Sequence, residues 1–155
     1  MAPSSAAFRF RLAADVRYSD VDAAGHVHHA RALVFFEEAR AAYWRDVVGR
    51  ASIDDIDYVI AEATVRWHAR IEWPATLEVC ARVSAVGRKH FHMEYEVRSR
   101  AGERLVTGHT VQVMYDYAAR SSKPVPPEVR AAIAAFEGPL AGDADAGVAH
   151  EVHGL

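Results

Sequence analysis

"HARALVFFEEARAAYWRDVV", residues 29–48, repeats its apolar side chains every three to four positions. Ala32, Phe36, Ala39, Tyr43 and Val47 share one stripe, and Arg31, Glu38 and Arg45 lie on the far side. That is the pattern of a long helix with one buried face. Arg40 sits beside the stripe, three residues after Glu37, a spacing that allows a local ion pair. Gly49 suits a C-terminal stop. On both sides of this stretch the period changes to two. Upstream, "FRFRLAADVRYS" (8–19) places Phe8, Phe10, Leu12, Ala14, Val16 and Tyr18 on one face of a strand. Downstream, after a loop at 52–57, alternation over 58–69, 77–86, 91–98 and 105–117 predicts four more strands. "EWPAT" (72–76) breaks the first pair, since proline ends sheet pairing; "VGRKH" (86–90) and "RAGE" (100–103) are turns. "KPVPPEVRAAIAAF" (123–136) opens a short helix after prolines. Consecutive strands with tight turns pair antiparallel, and the long helix has no other apolar surface to pack on than that sheet. The fold class is therefore α+β, with five antiparallel strands wrapped around one long helix.

The bulk composition fits one domain. The chain has 155 residues, 51% of them hydrophobic, enough for a real core. We expect a flexible start at 1–7, a domain at 8–137 and a disordered tail at 138–155, which is rich in Ala, Gly and Asp. No apolar run reaches the roughly 18 residues of a transmembrane helix. "MAPSSAAFRFRL" lacks the apolar stretch of a signal peptide. The single cysteine, Cys80, forbids an internal disulfide and fits a reducing cytoplasm. Cys80 lies on the polar side of its strand and reads as a structural thiol. A net charge of −3 with mixed signs argues against nucleic acid as the partner.

"YSDVDAAGHVHHA" (18–30), between the first strand and the helix, concentrates the ionisable chemistry. "DVDAAG" starts like a calcium loop. Counted from Asp20, however, the fifth position is Ala24 and the twelfth is Arg31, where oxygen ligands are required. Zinc could use Asp22, His26, His28 and His29, but their spacing matches no known zinc pattern. A plain turn is a second reading, because carboxylates suit the positive end of a helix and can hydrogen-bond turn backbone. An active site is the third. A helix N-terminus offers unpaired N–H groups that polarise a carbonyl, and a carboxylate just upstream can attack it or activate water. Gly25 would let backbone approach a ligand.

The stretch 16–40 resembles the start of hotdog-fold acyl-CoA thioesterases of the 4-hydroxybenzoyl-CoA thioesterase branch, which includes Tol-Pal-associated thioesterases. The residues carrying the likeness are Tyr18, Asp20, Asp22, Gly25, Val27, His29, Phe36, Glu37 and Arg40, with Glu38 an alternative in the Glu position. The likeness runs through "VGRKHFHMEYEV" and "VTGHTVQVMYD" to about residue 135. It implies a hotdog fold and hydrolysis of an acyl-CoA or acyl-carrier-protein thioester. Asp22 would be the catalytic carboxylate, as nucleophile or general base. The backbone N–H of His29 would polarise the thioester, and Tyr18 would flank the site, with Gly25 and Val27 shaping substrate approach. No metal or cofactor would be needed, coenzyme A being part of the substrate. The family works as homodimers or homotetramers with sheets joined edge to edge. "GHV" at 25–27 resembles fatty-acyl members, whereas "HH" at 28–29 resembles Tol-Pal-like ones, so the acyl preference stays open. His26 and His28 read as polar loop residues.

Arg88 and Lys89 sit in a strand–strand turn. They are either an ordinary charged turn or, by the resemblance, a contact to coenzyme A phosphate. Arg66, His68 and Arg70 alternate on one strand face, solvated or part of the same rim. Trp44 and Trp67 read as core or interface residues. Two other functions stay open: a non-catalytic acyl-CoA-binding hotdog module, and a hotdog dehydratase, which would need its histidine on a different loop.

Overall fold

The computed structural model describes residues 8–140. The expected flexible start and most of the expected tail therefore lie outside the described residues. Strand β1 (Phe10–Asp15) leads to helix α1 (Arg31–Tyr43), followed by β2 (Tyr58–Trp67), β3 (Thr76–Val86), β4 (His90–Ser99) and β5 (Arg104–Asp116). A two-residue strand, β6 (Ser121–Ser122), and helix α2 (Pro127–Glu137) complete the order. The antiparallel sheet runs β1-β3-β4-β5-β2, with β6 added on β5. This is the expected α+β arrangement of a hotdog fold. Among the described residues no helix is long and apolar enough to cross a membrane.

The first strand ends sooner than its alternation predicts. β1 pairs with β3 from Phe10 opposite Ala81 to Asp15 opposite Thr76. Beyond it the chain makes a 3-10 turn at Tyr18–Asp20. Tyr18, expected on the buried face, is 77% exposed. Period two continued in the letters after the backbone had left the sheet.

The chain comprises two compact units: residues up to Ala42 with Val65–Arg82 and Tyr95–Gly108, and Tyr43–Thr64 with Val83–Glu94 and the chain from His109. In the first, the α1 stripe buries Ala32, Phe36 and Ala39. Phe36 stacks on Tyr95 with ring centres 4.5 Å apart. Opposite them Gly108 leaves room for the Phe36 ring, which a Cβ there would overlap unless the ring shifted. Arg40, expected to pair with Glu37, is buried and donates instead to the Tyr95 hydroxyl at 3.1 Å. Glu37 is exposed. A side chain so close to the stripe is drawn into the core, where a buried guanidinium needs a fixed partner.

In the second unit α1 continues into a π-helical turn, Trp44–Val48, closed by Gly49 at φ +85°. Trp44 stacks on Phe91 at 4.9 Å and donates its indole N–H to Asp57 Oδ1 at 3.1 Å. The Tyr43 hydroxyl donates to Glu137 Oε1 at 2.8 Å. Burial first, and then the Glu137 carboxylate, push that phenol far above its ordinary range. Helix α2 buries Val129 and Ile133 completely.

Candidate active site

The segment between β1 and α1 folds as a miniature hairpin. Val21 and Val27 form an antiparallel bridge. The Asp22 N–H donates to the His26 carbonyl at 3.1 Å, and the Gly25 N–H donates to the Asp22 carbonyl at 3.0 Å. Gly25 takes φ +82°, a conformation that favours glycine. Asp22 Oδ1 accepts from the Ala24 N–H at 2.8 Å, a side-chain turn typical of aspartate. Its Oδ2 has no partner among the described residues.

Asp20 does different work. It is buried. Its Oδ2 accepts from the Arg17 N–H at 2.8 Å, and Oδ1 lies 3.4 Å from Arg31 Nε. Its carbonyl accepts from the His28 N–H at 2.8 Å. Asp20 thus ties the start of the segment to its end. Across the segment, the Val27 N–H donates to the Ile71 carbonyl at 2.9 Å.

The helix start is nearly saturated. His28 Nδ1 accepts from the Ala30 N–H at 3.1 Å. The Arg31 N–H bonds the His28 carbonyl at 2.9 Å, and the Ala32 N–H bonds the His29 carbonyl at 3.3 Å. The His29 N–H alone has no acceptor among the described residues. A helix N-terminus always leaves such donors over; here the leftover is the one at the expected position. The His29 ring stacks on His28 at 4.2 Å and meets the edge of Trp67 at 6.0 Å.

Asp22 and His29 line one cavity of about 360 Å³, together with Val27, His28, Trp67 and His68. This volume is in the range of small-molecule sites. His68 Nε2 lies 2.8 Å from Thr107 Oγ1, which fixes its ring. Arg70, also on the wall, is held by Glu72 at 2.6 Å. A second cavity of about 460 Å³, lined by Ser19, Asp20, Arg31 and Val34, also reaches Asp22 and His28. Among the described residues no three His, Cys, Asp or Glu side chains are arranged to hold a metal ion.

Of the site residues that the resemblance implied, Asp22, Val27 and His29 meet here, and His26 and His28, read as polar loop residues, line the same cavity. Tyr18, Gly25, Arg88 and Lys89 do not line this cavity. Tyr18 packs edge-on against Trp73 at 5.4 Å, and Gly25 shapes the turn from an exposed position. Arg88 and Lys89 belong to the second unit. There Lys89 Nζ donates to Ser122 Oγ at 3.0 Å, and the Arg88 carbonyl accepts from the Val125 N–H at 2.8 Å. Trp67, read from the sequence as core or interface, lines the cavity, as do His68 and Arg70, for which the sequence left a solvated face or a basic rim open. Their strand ends beside the loop, a fact of topology that alternation along β2 does not carry.

Residues 16–133 match the family model described as the thioesterase-like superfamily. The chain belongs to that superfamily. Among solved structures of this family, a thioesterase from Thermus thermophilus, complexed with coenzyme A and zinc, is 31% identical. The match covers 86% of this chain and 97% of that one, with a TM-score of 0.75. A 1,4-dihydroxy-2-naphthoyl-CoA thioesterase from Synechocystis shares the fold at 22% identity, covering 84% and 98% of the two chains with a TM-score of 0.73. The uncharacterised protein YsmA of Bacillus subtilis (strain 168) is 26% identical over 106 residues, 68% of this chain and 72% of its own length.

Proposed function

We propose that this thioesterase hydrolyses an acyl-CoA or acyl-carrier-protein thioester, with Asp22 as its carboxylate and the His29 N–H as its oxyanion donor. One observation carries the reading. The only N–H at the helix start without an acceptor among the described residues, that of His29, lines the same cavity as a carboxylate with one oxygen uncommitted. A donor already fixed in place stabilises a developing oxyanion without reorganising. In the general-base form, Asp22 removes a proton from water as the water oxygen adds to the thioester carbon. The carbonyl oxygen becomes an oxyanion at His29. The carbon–sulfur bond then breaks, and the thiolate recovers the proton from Asp22, leaving free acid and thiol. In the nucleophilic form, Asp22 displaces the thiolate and water cleaves the resulting anhydride.

Coenzyme A named with the Thermus relative favours an acyl-CoA substrate. Arg88 and Lys89 would then meet its phosphates, where basic side chains fit. Asp22 and the His29 amide supply both halves of the chemistry, so neither metal nor organic cofactor enters this mechanism. We place the enzyme in the cytoplasm as a homo-oligomer, dimer or tetramer, joined along the open edge of β2.

The test is thiol release from a panel of acyl-CoAs. The isosteric change Asp22→Asn should preserve the fold and lower kcat by about 100-fold or more. Wild-type turnover in that variant would refute the assignment. A wild-type chain that binds acyl-CoA without releasing thiol would instead indicate a binding module.

A further inference from the structure

His28, which the sequence alone marks only as a polar loop residue, is held in place where the loop enters the helix. Three bonds converge on it. Its N–H donates to the Asp20 carbonyl at 2.8 Å, its carbonyl accepts from the Arg31 N–H, and its Nδ1 accepts from the Ala30 N–H at 3.1 Å. This is N-cap geometry, a side-chain acceptor taking the N–H two residues on, placed on the turn at 28–31 that leads into α1. Histidine is an unusual choice for it. To accept at Nδ1 the ring must be neutral and carry its proton on Nε2. The residue so capped is adjacent to His29, the donor of the proposed oxyanion site. His28 also stacks on the His29 ring at 4.2 Å. With Asp22 it is one of only two residues lining both cavities. A shift here would move the one uncommitted N–H relative to the Asp22 carboxylate.

We propose that His28 is a positioning residue for thioester hydrolysis: its neutral Nδ1 caps α1 and fixes the His29 amide where the oxyanion forms. The proposal rests on the hydrolase reading given above. It assigns His28 no proton transfer. Its effect should therefore fall on kcat and leave KM nearly unchanged, since an amide aimed at the oxyanion acts in the transition state more than in substrate binding.

Asparagine and glutamine separate the possibilities. Asn places its oxygen close to where Nδ1 lies and is itself a strong N-cap. Gln extends one carbon further and mimics Nε2. Both are polar and similar in size, so both chains should fold, which circular dichroism and thermal melting would verify. His28→Asn should keep kcat within about threefold of wild type, whereas His28→Gln and His28→Ala should lose about tenfold, the scale of a lost cap carried into the transition state. KM should stay within about twofold throughout. Equal loss in Asn and Gln would overturn the proposal, because the imidazole itself would then be required. Full activity in Gln or Ala would overturn it too. If wild type releases no thiol from any acyl-CoA, the hydrolase reading fails and this proposal fails with it. If wild type is active and Asp22→Asn is not, the Asn–Gln comparison decides the role of His28 alone.

Discussion

Two aspartates two residues apart have opposite fates, and the difference lies in who bonds them. Asp20 is buried and spent on Arg17, Arg31 and the loop backbone. Asp22 spends one oxygen on Ala24 and presents the other at a cavity. The sequence marked Asp22 through its likeness to a family motif, but nothing in the letters separated a cap from an idle histidine at His28. That distinction needs the angle at which one ring meets one amide. Cys80, which alternation places on the polar side of its strand, has no exposed surface. It is buried, and burial pushes its thiol up to about 11, opposed by Arg98 and assisted by Glu78. The native chain at about pH 8 should react with a thiol-specific disulfide reagent only as fast as it unfolds. Rapid labelling of the folded chain would contradict this. The sign for stability follows. The thiol ionises more readily in the unfolded chain, near the ordinary 9.0. Its contribution is therefore full below about pH 9 and declines as pH rises toward about 11. A denaturation midpoint followed across that range should fall more steeply in wild type than in Cys80→Ala.

At the scale of elements, periodicity located α1 and the five long strands, prolines marked the start of α2, and the short 3-10 turns at Tyr18–Asp20 and Ile53–Asp55 were missed. α1 was legible because its stripe is buried from Ala32 to Tyr43. β1 was overrun because alternation in "VRYS" looks the same whether or not a partner strand is present. The Gly108–Phe36 contact is the packing choice that periodicity cannot express: a strand gives up a side chain so that a helix can seat an aromatic ring. Gly108→Ala should therefore destabilise the fold by about 1–3 kcal/mol, as overpacking does. Adding Phe36→Leu should recover part of that loss, because neighbours that clash do not add. A double-mutant cycle by chemical denaturation measures both. Additive losses would show that the ring and the glycine do not interact.

For the whole molecule, β2 is the feature to account for. It is ten residues long, it ends the strand order, and Ile60 and Trp67 on it are 40% and 47% exposed. An open, partly apolar edge of that length invites pairing with another chain. Sedimentation velocity should find a dimer or larger species, and Ile60→Lys, a charge of the kind that guards natural edges, should shift it toward monomer. A wild-type monomer at all concentrations would remove the oligomer from the proposal. The architecture was legible from patterning because five strands and one long helix admit few packings. The composition of the cavity was only partly legible, because Trp67 and His68, which line it with Asp22, come from far along the chain.

The clasp made by Asp20 has a consequence for heredity. Because one carboxylate and its own carbonyl join residues 17, 28 and 31, the intervening stretch is a closed ring of fixed circumference. Point changes inside that ring can be tried one at a time by mutation. A gained or lost codon cannot, since it would part the clasp and unseat the helix start together. Lineages descending from this sequence should vary the letters of the segment while keeping its length.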